Sequence, residues 1–350
     1  MSESIFKRFG GTITPGCDQL LLEPRTLPDN ALCFSHGRAA MIWIIHNAGK
    51  FDSAAVCAYT WPEIPNMMRR YNCEVGTFDF MQENILDLIQ RLPGRCLVII
   101  PIFYGFDPWI DYMSIAEKLE GKAFVLLDGA QTAFGYEDYP VPKFGAVLSC
   151  PHKATSINDG AILLMDEIED FDKLNYKSLD TGDQFSLIKK NGRKLLASQN
   201  EKEELKGLEL VVQLEETWPS DPPQRMTLKS YNELSYIDAS SHYFARKQNY
   251  DYLKGRLESY FLQLPEKLNM RVPFAYAVLM KNRKILIEKL TMKRVFATSL
   301  WHNAIYDEEI HPNAADLASN LIAFPIDQRY DIGDMDELAD IVISCLKHDS

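Results

Sequence analysis

Five short runs in this sequence are apolar almost from end to end: AAVCAY (54–59), CLVIIPI (96–102), AFVLLD (123–128), AVLSC (146–150) and AILLM (161–165). A half-buried strand alternates apolar and polar side chains, whereas a strand covered on both faces does not. Between the runs stand segments of helical period, AAMIWIIHNA (39–48), stopped by Gly49, and WIDYMSIAEKLEG (109–121), stopped by Gly121. Strand and helix repeated in this way predict a mostly parallel sheet clothed by helices, since parallel neighbours need a crossover long enough to hold a helix.

After about residue 240 the texture changes. A long amphipathic segment, SSHYFARKQNYDYLKGRLESYFLQL (240–264), leads to a strand-like PFAYAVLM (273–280), a helix NRKILIEKLTMK (282–293) and a last helix DMDELADIVISCLKH (334–348). The expected organisation is therefore a large α/β domain over residues 1–240 and a smaller α/β domain over 241–350. The 46% hydrophobic content suffices for two cores. Residues 166–240 are charged and hold the break SDPP (220–223), which reads as an arm or connection. Their most polar part, SQNEKEELKG (198–207), reads as a solvated helix face or a mobile arm.

Charge and cysteine usage exclude several functions. Thirty-seven basic against forty-nine acidic side chains leave a net charge of −12, with no basic patch to draw a nucleic acid. The seven cysteines, at 17, 33, 57, 73, 96, 150 and 345, are odd in number and hold no C-x-x-C pair, which argues against a disulfide framework or a metal site and for a reducing, cytoplasmic compartment. The opening MSESIFKRFG lacks the apolar core of a signal peptide. No apolar run approaches the roughly 18 to 20 residues of a membrane span.

In open α/β sheets the ligand lies beyond the carboxyl ends of the strands, so the residues that follow each apolar run are the candidates for chemistry. In CFSHGRAAM (33–41), Ser35 and Gly37 precede a helix whose free N–H groups can hold a phosphate, although Ser35 can equally be a plain N-cap. In AYTWPEI (58–64), Thr60 and Trp61 end a strand, where the indole either stacks on a flat ligand or fills the core. FVLLDGAQ (124–131) runs straight into Asp128, with Gln131 shortly after. A carboxylate there needs a cation or N–H donors, and a protonated pyridine nitrogen or a helix N-terminus would each serve. The loop SCPHKATSINDG (149–160) brings Lys153, with Ser149, Cys150 and His152 beside it. Lysine is the side chain that joins an aldehyde as a Schiff base, though a lone loop lysine is ordinarily surface decoration.

A phosphate-holding turn, an indole, an aspartate and a lysine on successive strand ends are the parts that hold pyridoxal phosphate (PLP). At these residues the sequence resembles the DegT/DnrJ/EryC1/StrS family of PLP-dependent sugar aminotransferases, of fold type I. The matching stretches are HGRAA (36–40), YTW (59–61), IFYGFDPWIDYMSIAEKLEGKAFVLLDGAQTAFG (102–135), SCPHKATSINDGAILL (149–164) and AFPIDQRYDIGDMDELADIV (323–342). The resemblance implies a large domain with a mostly parallel sheet of the seven-stranded type and a small C-terminal α/β domain. It implies Lys153 as the Schiff-base lysine, Asp128 at the pyridinium nitrogen, Gln131 near the ring's phenolic oxygen and Trp61 on the ring face. Gly37, Arg38 and Ser149 would help to hold the phosphate. The loop SCPHK is shorter than the commoner family pattern, so Cys150 is the alternative to Ser149.

Other positions follow from the same resemblance. His302, in SLWHNA (299–304), and Tyr104 would touch substrate. MTLKSYNELSYID (226–238) stands where the family carries an asparagine-bearing segment that reaches the neighbouring subunit, with Lys229 and Asn232 as candidates. Arg329 and Tyr330, in PIDQRY, read as structural fasteners between the domains. The implied activity is transamination from an amino-acid donor such as glutamate to a keto or aldehyde acceptor, a nucleotide-linked keto sugar or a secondary-metabolite intermediate. A homodimer with shared active sites goes with it, and no metal. Family members that carry histidine in place of the lysine are sugar dehydratases using a pyridoxamine cofactor, which makes His152 the alternative to Lys153. A catalytically silent binding protein is the reading from outside enzymology.

Overall fold

The computed structural model describes residues 8–11, 13, 16–132, 134–165, 173–198, 200–218, 221–265 and 268–347. Residues 166–172 and 219–220 of the charged stretch, most of the opening MSESIFKRFG, and Ala133 of the stretch after Asp128 lie outside them. Chain order runs β1 (Phe9–Gly10), β2 (Ala31–Phe34), α1 (Gly37–Asn47), β3 (Ser53–Cys57), α2 (Glu63–Arg70), β4 (Glu74–Phe78), α3 (Leu86–Arg91), β5 (Cys96–Pro101), α4 (Tyr112–Lys118), β6 (Ala123–Gly129), β7 (Gly145–Ser149) and β8 (Ala161–Met165). Helices α5 (Lys173–Ser178), α6 (Asp183–Leu196), α7 (Glu201–Thr217), α8 (Leu228–Tyr236) and the long α9 (Ala239–Leu257) follow. The chain continues through β9 (Leu262–Gln263), β10 (Tyr276–Leu279), α10 (Arg283–Met292), β11 (Val295–Phe296), α11 (Pro312–Asn320), β12 (Leu321–Phe324) and α12 (Ile332–Lys347).

Seven strands form one sheet in the order β2-β8-β7-β6-β5-β3-β4. Strands β3 to β7 are parallel to one another, and β8 runs antiparallel to both β7 and β2. The reason is local: residues 150–160 between β7 and β8 hold no crossover helix, so the chain returns along its neighbour. That return turn carries Lys153, and it opens at the carboxyl end of β7, beside the carboxyl end of β6. Both faces of the sheet are covered. Val98, Ile100, Val125 and Leu127 enter one core cluster, while Leu97, Ile99, Phe124 and Leu126 enter the other. The five apolar runs are all strands. Strands β2 and β4 carry weaker signals, because β2 is four residues long and the edge strand β4 holds Glu74 and Gly76 on partly exposed positions.

The second sheet, β12-β10-β9, is antiparallel and rests on a third core built from α9, α10 and α12, including Leu253, Val278, Leu286, Phe324, Leu338 and Val342. Within the long amphipathic segment, helix α9 stops at Leu257, and Leu262 and Gln263 form β9. Strand β1 pairs in parallel with β11, and Phe9 is fully buried in the third core. The start of the chain therefore packs with the C-terminal unit, although the sequence places it with the large domain.

Much of the charged stretch is a helical hairpin. Asn200 caps α7 by accepting from Lys202 N at 3.0 Å and Glu203 N at 3.4 Å. Helices α6 and α7 touch at two glycines: a Cβ on Gly192 would stand 2.7 Å from Val211 Cγ2, and one on Gly207 would stand 2.7 Å from Gly192 O. Glycine costs helix propensity in both places and is kept by the close approach of the two backbones. Among the described residues no helix is long and apolar enough to cross a membrane.

Candidate active site

The parallel register sets Pro101, Asp128 and Leu148 in one row at the carboxyl ends of β5, β6 and β7. Asp128 is buried, 6% exposed, and its Oδ1 accepts Ala130 N at 3.0 Å. Burial pushes its carboxyl above the ordinary carboxylate value, while the positive charge of Lys153 and the Ala130 N–H pull the other way. Lys153 ends a single 3-10 turn, Pro151–Lys153, and its side chain is exposed. The fold thus brings the aspartate and the lysine into electrostatic contact from two neighbouring strand ends.

The N-terminus of α1 lies beside them. His36 stands at the N-cap in extended geometry with no side-chain cap bond, and Ser35 Oγ is instead within 2.8 Å of His36 Nδ1. The N-cap side chain thus makes no bond to the first turn of α1. Cys150, at the end of β7, packs under this turn: a Cβ on Gly37 would come within 2.9 Å of Cys150 Sγ, so only glycine fits without displacing it. Of the two phosphate candidates in SCPHK, Cys150 is the one against the helix start. Ser149 is fully buried and its hydroxyl donates to Thr132 O at 2.5 Å.

Several predicted residues point elsewhere. Arg38 donates to Glu216 O at 3.2 Å and Leu214 O at 3.5 Å, and its guanidinium lies 5.3 Å from the Trp61 ring centre. The carbonyls at the end of α7 hold the Arg38 guanidinium, Leu214 O sharing it with the Trp218 N–H. Trp61 is partly buried, with Arg38 on its ring, and Thr60 is buried. Gln131 Oε1 accepts Tyr104 N at 2.7 Å, and so holds a residue with φ of +50°. Tyr104 is fully buried, and burial raises its hydroxyl well above the ordinary phenol value. His302 is exposed, with Nδ1 3.4 Å from Ser299 O. Lys229 and Asn232 are exposed on α8, Lys229 lying 3.5 Å from Glu233. A cavity of about 300 Å³ opens between α1, α2 and the end of α7, lined in part by Arg38, Met67, Tyr71 and Trp218, and it includes neither Asp128 nor Lys153.

His152 has a structural place. Its ring is fully buried, Nδ1 lies 2.7 Å from Gly160 O, and Phe185 of α6 meets it edge-on at 6.1 Å. That carbonyl can only accept, which fixes the proton on Nδ1. The same phenylalanine stacks on His36 at 4.8 Å. Arg329 and Tyr330 fasten the start of the chain rather than the two domains. Arg329 pairs with Asp327 at 2.6 Å and donates to Gly11 O at 3.4 Å, and Tyr330 Oη accepts Gly10 N at 2.7 Å.

Residues that sequence reasoning passed over hold the lysine turn. Arg193 of α6 reaches the carbonyls of His152, Thr155, Ser156 and Ile157. Asp18 Oδ2 accepts Ser156 N at 2.8 Å, its Oδ1 accepts Gln328 Nε2 at 2.9 Å, and His242 Nε2 lies 2.9 Å from the same oxygen. Asp159 accepts from Thr227 N and Thr227 Oγ1 at 2.7 and 2.8 Å. An isolated arginine or aspartate carries no local pattern, so nothing in the sequence pointed to them.

The Asp18 cluster gives a stability prediction. The side chains of Asp18 and His242 are 3% and 2% exposed. Burial raises the Asp18 carboxyl, but hydrogen bonds from His242 and Ser156 outweigh it and hold the group at about 2, below its ordinary 3.8. A carboxylate whose folded value is depressed stabilises above its unfolded value and loses that contribution as pH falls towards the folded one. Asp18→Ala is expected to lose about 3–5 kcal/mol at neutral pH, by leaving three donors without their acceptor. Urea unfolding at pH 7 and between pH 4 and 2 checks it: the gap between wild type and variant should narrow through the acid range, and a constant gap would refute the assignment.

No protein-family model and no curated protein matches this sequence. Solved structures do. The aminotransferase PseC of Helicobacter pylori, involved in the biosynthesis of pseudoaminic acid, is 11% identical with a TM-score of 0.61, over 98% of this chain and 100% of that one. A DegT DnrJ EryC1 StrS aminotransferase from Brucella abortus is 12% identical with a TM-score of 0.55, over 90% and 85% of the two chains. The GDP-4-keto-6-deoxy-D-mannose-3-dehydratase of Escherichia coli, with bound hydrated PLP, is 14% identical with a TM-score of 0.58, over 89% and 87%. At these identities the likeness shows the fold, which is that of fold type I PLP-dependent transferases with the seven-stranded, mostly parallel sheet. The family resemblance read from HGRAA, DGAQ and PIDQRY thus agrees with the type of structure that the chain matches.

Proposed function

We propose that this chain is a PLP-dependent aminotransferase. It would move an amino group from an amino-acid donor, with glutamate the first to test, to a keto or aldehyde carbon of a nucleotide-linked sugar or a secondary-metabolite intermediate. The observation that carries this reading is the buried Asp128 carboxylate facing the charge of Lys153 across two adjacent strand ends. A carboxyl kept there with one N–H donor at 3.0 Å and a raised pKa is costly to the fold and suited to a cationic ring nitrogen.

The residues fit the cofactor at three points. Asp128 would hold the pyridine nitrogen protonated, the first turn of α1 would bind the phosphate through its N–H groups, and Lys153 would take the aldehyde carbon. When bound, PLP supplies an electron sink for the charge that develops at the carbon exchanging its amino group. The Lys153 amine would also hold and move the proton at the carbon that exchanges its amino group. Cys150 packs against Gly37 at the start of α1 and would form the floor of the phosphate turn, while Gln131 accepts the Tyr104 backbone N–H.

The dehydratase reading through His152 finds no support in the geometry, since that ring is buried against Gly160 O and Phe185. A silent binding protein has no use for the Asp128 and Lys153 pair. Homodimer formation with shared sites and a cytoplasmic location belong to the same proposal, the latter supported by seven cysteines of which none forms a disulfide among the described residues.

The test is the visible spectrum of protein purified with PLP. A band at roughly 410 to 430 nm that glutamate removes and a keto acceptor restores is the expected result. A spectrum indifferent to every amino acid tried, with PLP bound, would refute the aminotransferase reading.

A further inference from the structure

We infer that Arg193 is the positioning residue for Lys153, an inference that rests on the proposed function. The guanidinium of Arg193, 1% exposed, lies under the lysine turn and donates to four of its carbonyls: His152 O at 2.7 Å, Thr155 O at 3.2 Å, Ser156 O at 2.7 Å and Ile157 O at 2.5 Å. Two of them flank Lys153 closely. The carbonyl of Ala154, on the other side of the lysine, accepts Gln328 Nε2 at 3.0 Å and Arg246 at 3.3 Å, and Ser156 N is taken by Asp18.

The physical need is plain. Residues 150–160 form a return turn with no sheet or helix ladder to fix them beyond a single 3-10 turn, and an exposed lysine on such a loop samples many positions. A productive attack on an aldehyde demands a reacting pair held about 3–3.5 Å apart, and a misplacement of about 1 Å costs on the order of 100-fold. A planar fork with five fixed donors can tie several carbonyls into one geometry, whereas an ammonium cannot. Arg193 touches none of the reacting atoms. It acts by fixing the backbone on which Lys153 stands, and it couples that backbone to helix α6.

The experiment compares wild type with Arg193→Lys, which keeps the charge and removes the fork. The rate at which Lys153 captures PLP is followed by quenching with borohydride and mapping the modified peptide. The expected result is a 10- to 100-fold slower capture and a matching fall in kcat, with KM for glutamate nearly unchanged. In the cofactor-free protein, amide hydrogen exchange should quicken at residues 152–157 while β6 and β7 keep their protection. Capture and exchange at wild-type rates, with only a lowered Tm, would show Arg193 to be merely structural. Should Arg193→Lys not fold, Arg193→Gln takes the same measurements, and amides of 153–157 exchanging rapidly in the wild type would already overturn the inference. Wild type that forms no adduct at Lys153 would instead refute the aminotransferase reading, and this inference with it.

Discussion

Lys153→Ala should give a folded protein that binds PLP without a covalent link and yields no borohydride-fixed cofactor on any residue. The lysine side chain is exposed, and the turn beneath it is tied down by other residues, so its removal should alter stability by no more than about 0.5 kcal/mol. The chemistry should suffer far more. Loss of the group that is both covalent partner and proton carrier is expected to lower kcat on the order of 1000-fold or more. His152→Ala is the matched control. It removes a buried ring bonded to Gly160 O, so it should destabilise the protein yet leave the adduct on Lys153. Peptide mapping after borohydride decides between the two, and an adduct that survives in Lys153→Ala would sink the assignment of the lysine.

The second large effect is a split between activity and stability at Asp128. Burial raises this carboxyl above its ordinary value of 3.8, so between that pH and its folded value the native state holds more protons than the unfolded chain. Stability then falls as pH rises through this window, and the full cost remains at every pH above it. Asp128→Asn has the same shape and no charge to bury. The cofactor-free variant should therefore be at least as stable as wild type at neutral pH and should lose that advantage below pH 3.8. Its activity should drop on the order of 100-fold or more, since the ring nitrogen would no longer face an anion. Thermal unfolding of both cofactor-free proteins at pH 7 and pH 3, beside transamination rates, measures the split. A variant that is both less stable and fully active would mean that Asp128 is a turn residue and nothing more.

How far the sequence could be read depended on whether a feature is local. The five buried runs identified the sheet because burial on both faces leaves a continuous apolar signature. Asp128 and Lys153 were legible for a related reason: each sits directly after such a run, and strand ends in a parallel sheet converge. The position of β1 was not legible, because a two-residue strand carries no pattern and its partner β11 lies at the far end of the chain. The contacts of Arg38 with the end of α7 were not legible from its place in HGRAA, because their acceptors lie far along the chain. Nor was the burial of Tyr104 and His152, residues of reactive type that the fold encloses.

The sequence by itself determined the class of fold and offered Asp128 and Lys153 as the candidates for chemistry. The first follows from periodicity, the second from the cost of a charge at a buried strand end. Only the tertiary structure decided that Cys150 rather than Ser149 lies under the helix start, that His152 is a packing residue, and that Arg193, Asp18 and Gln328 clasp the turn of Lys153. These contacts join residues far apart in the chain, and a hydrogen bond of that kind is set by the directions of two backbones that meet only after the cores have packed.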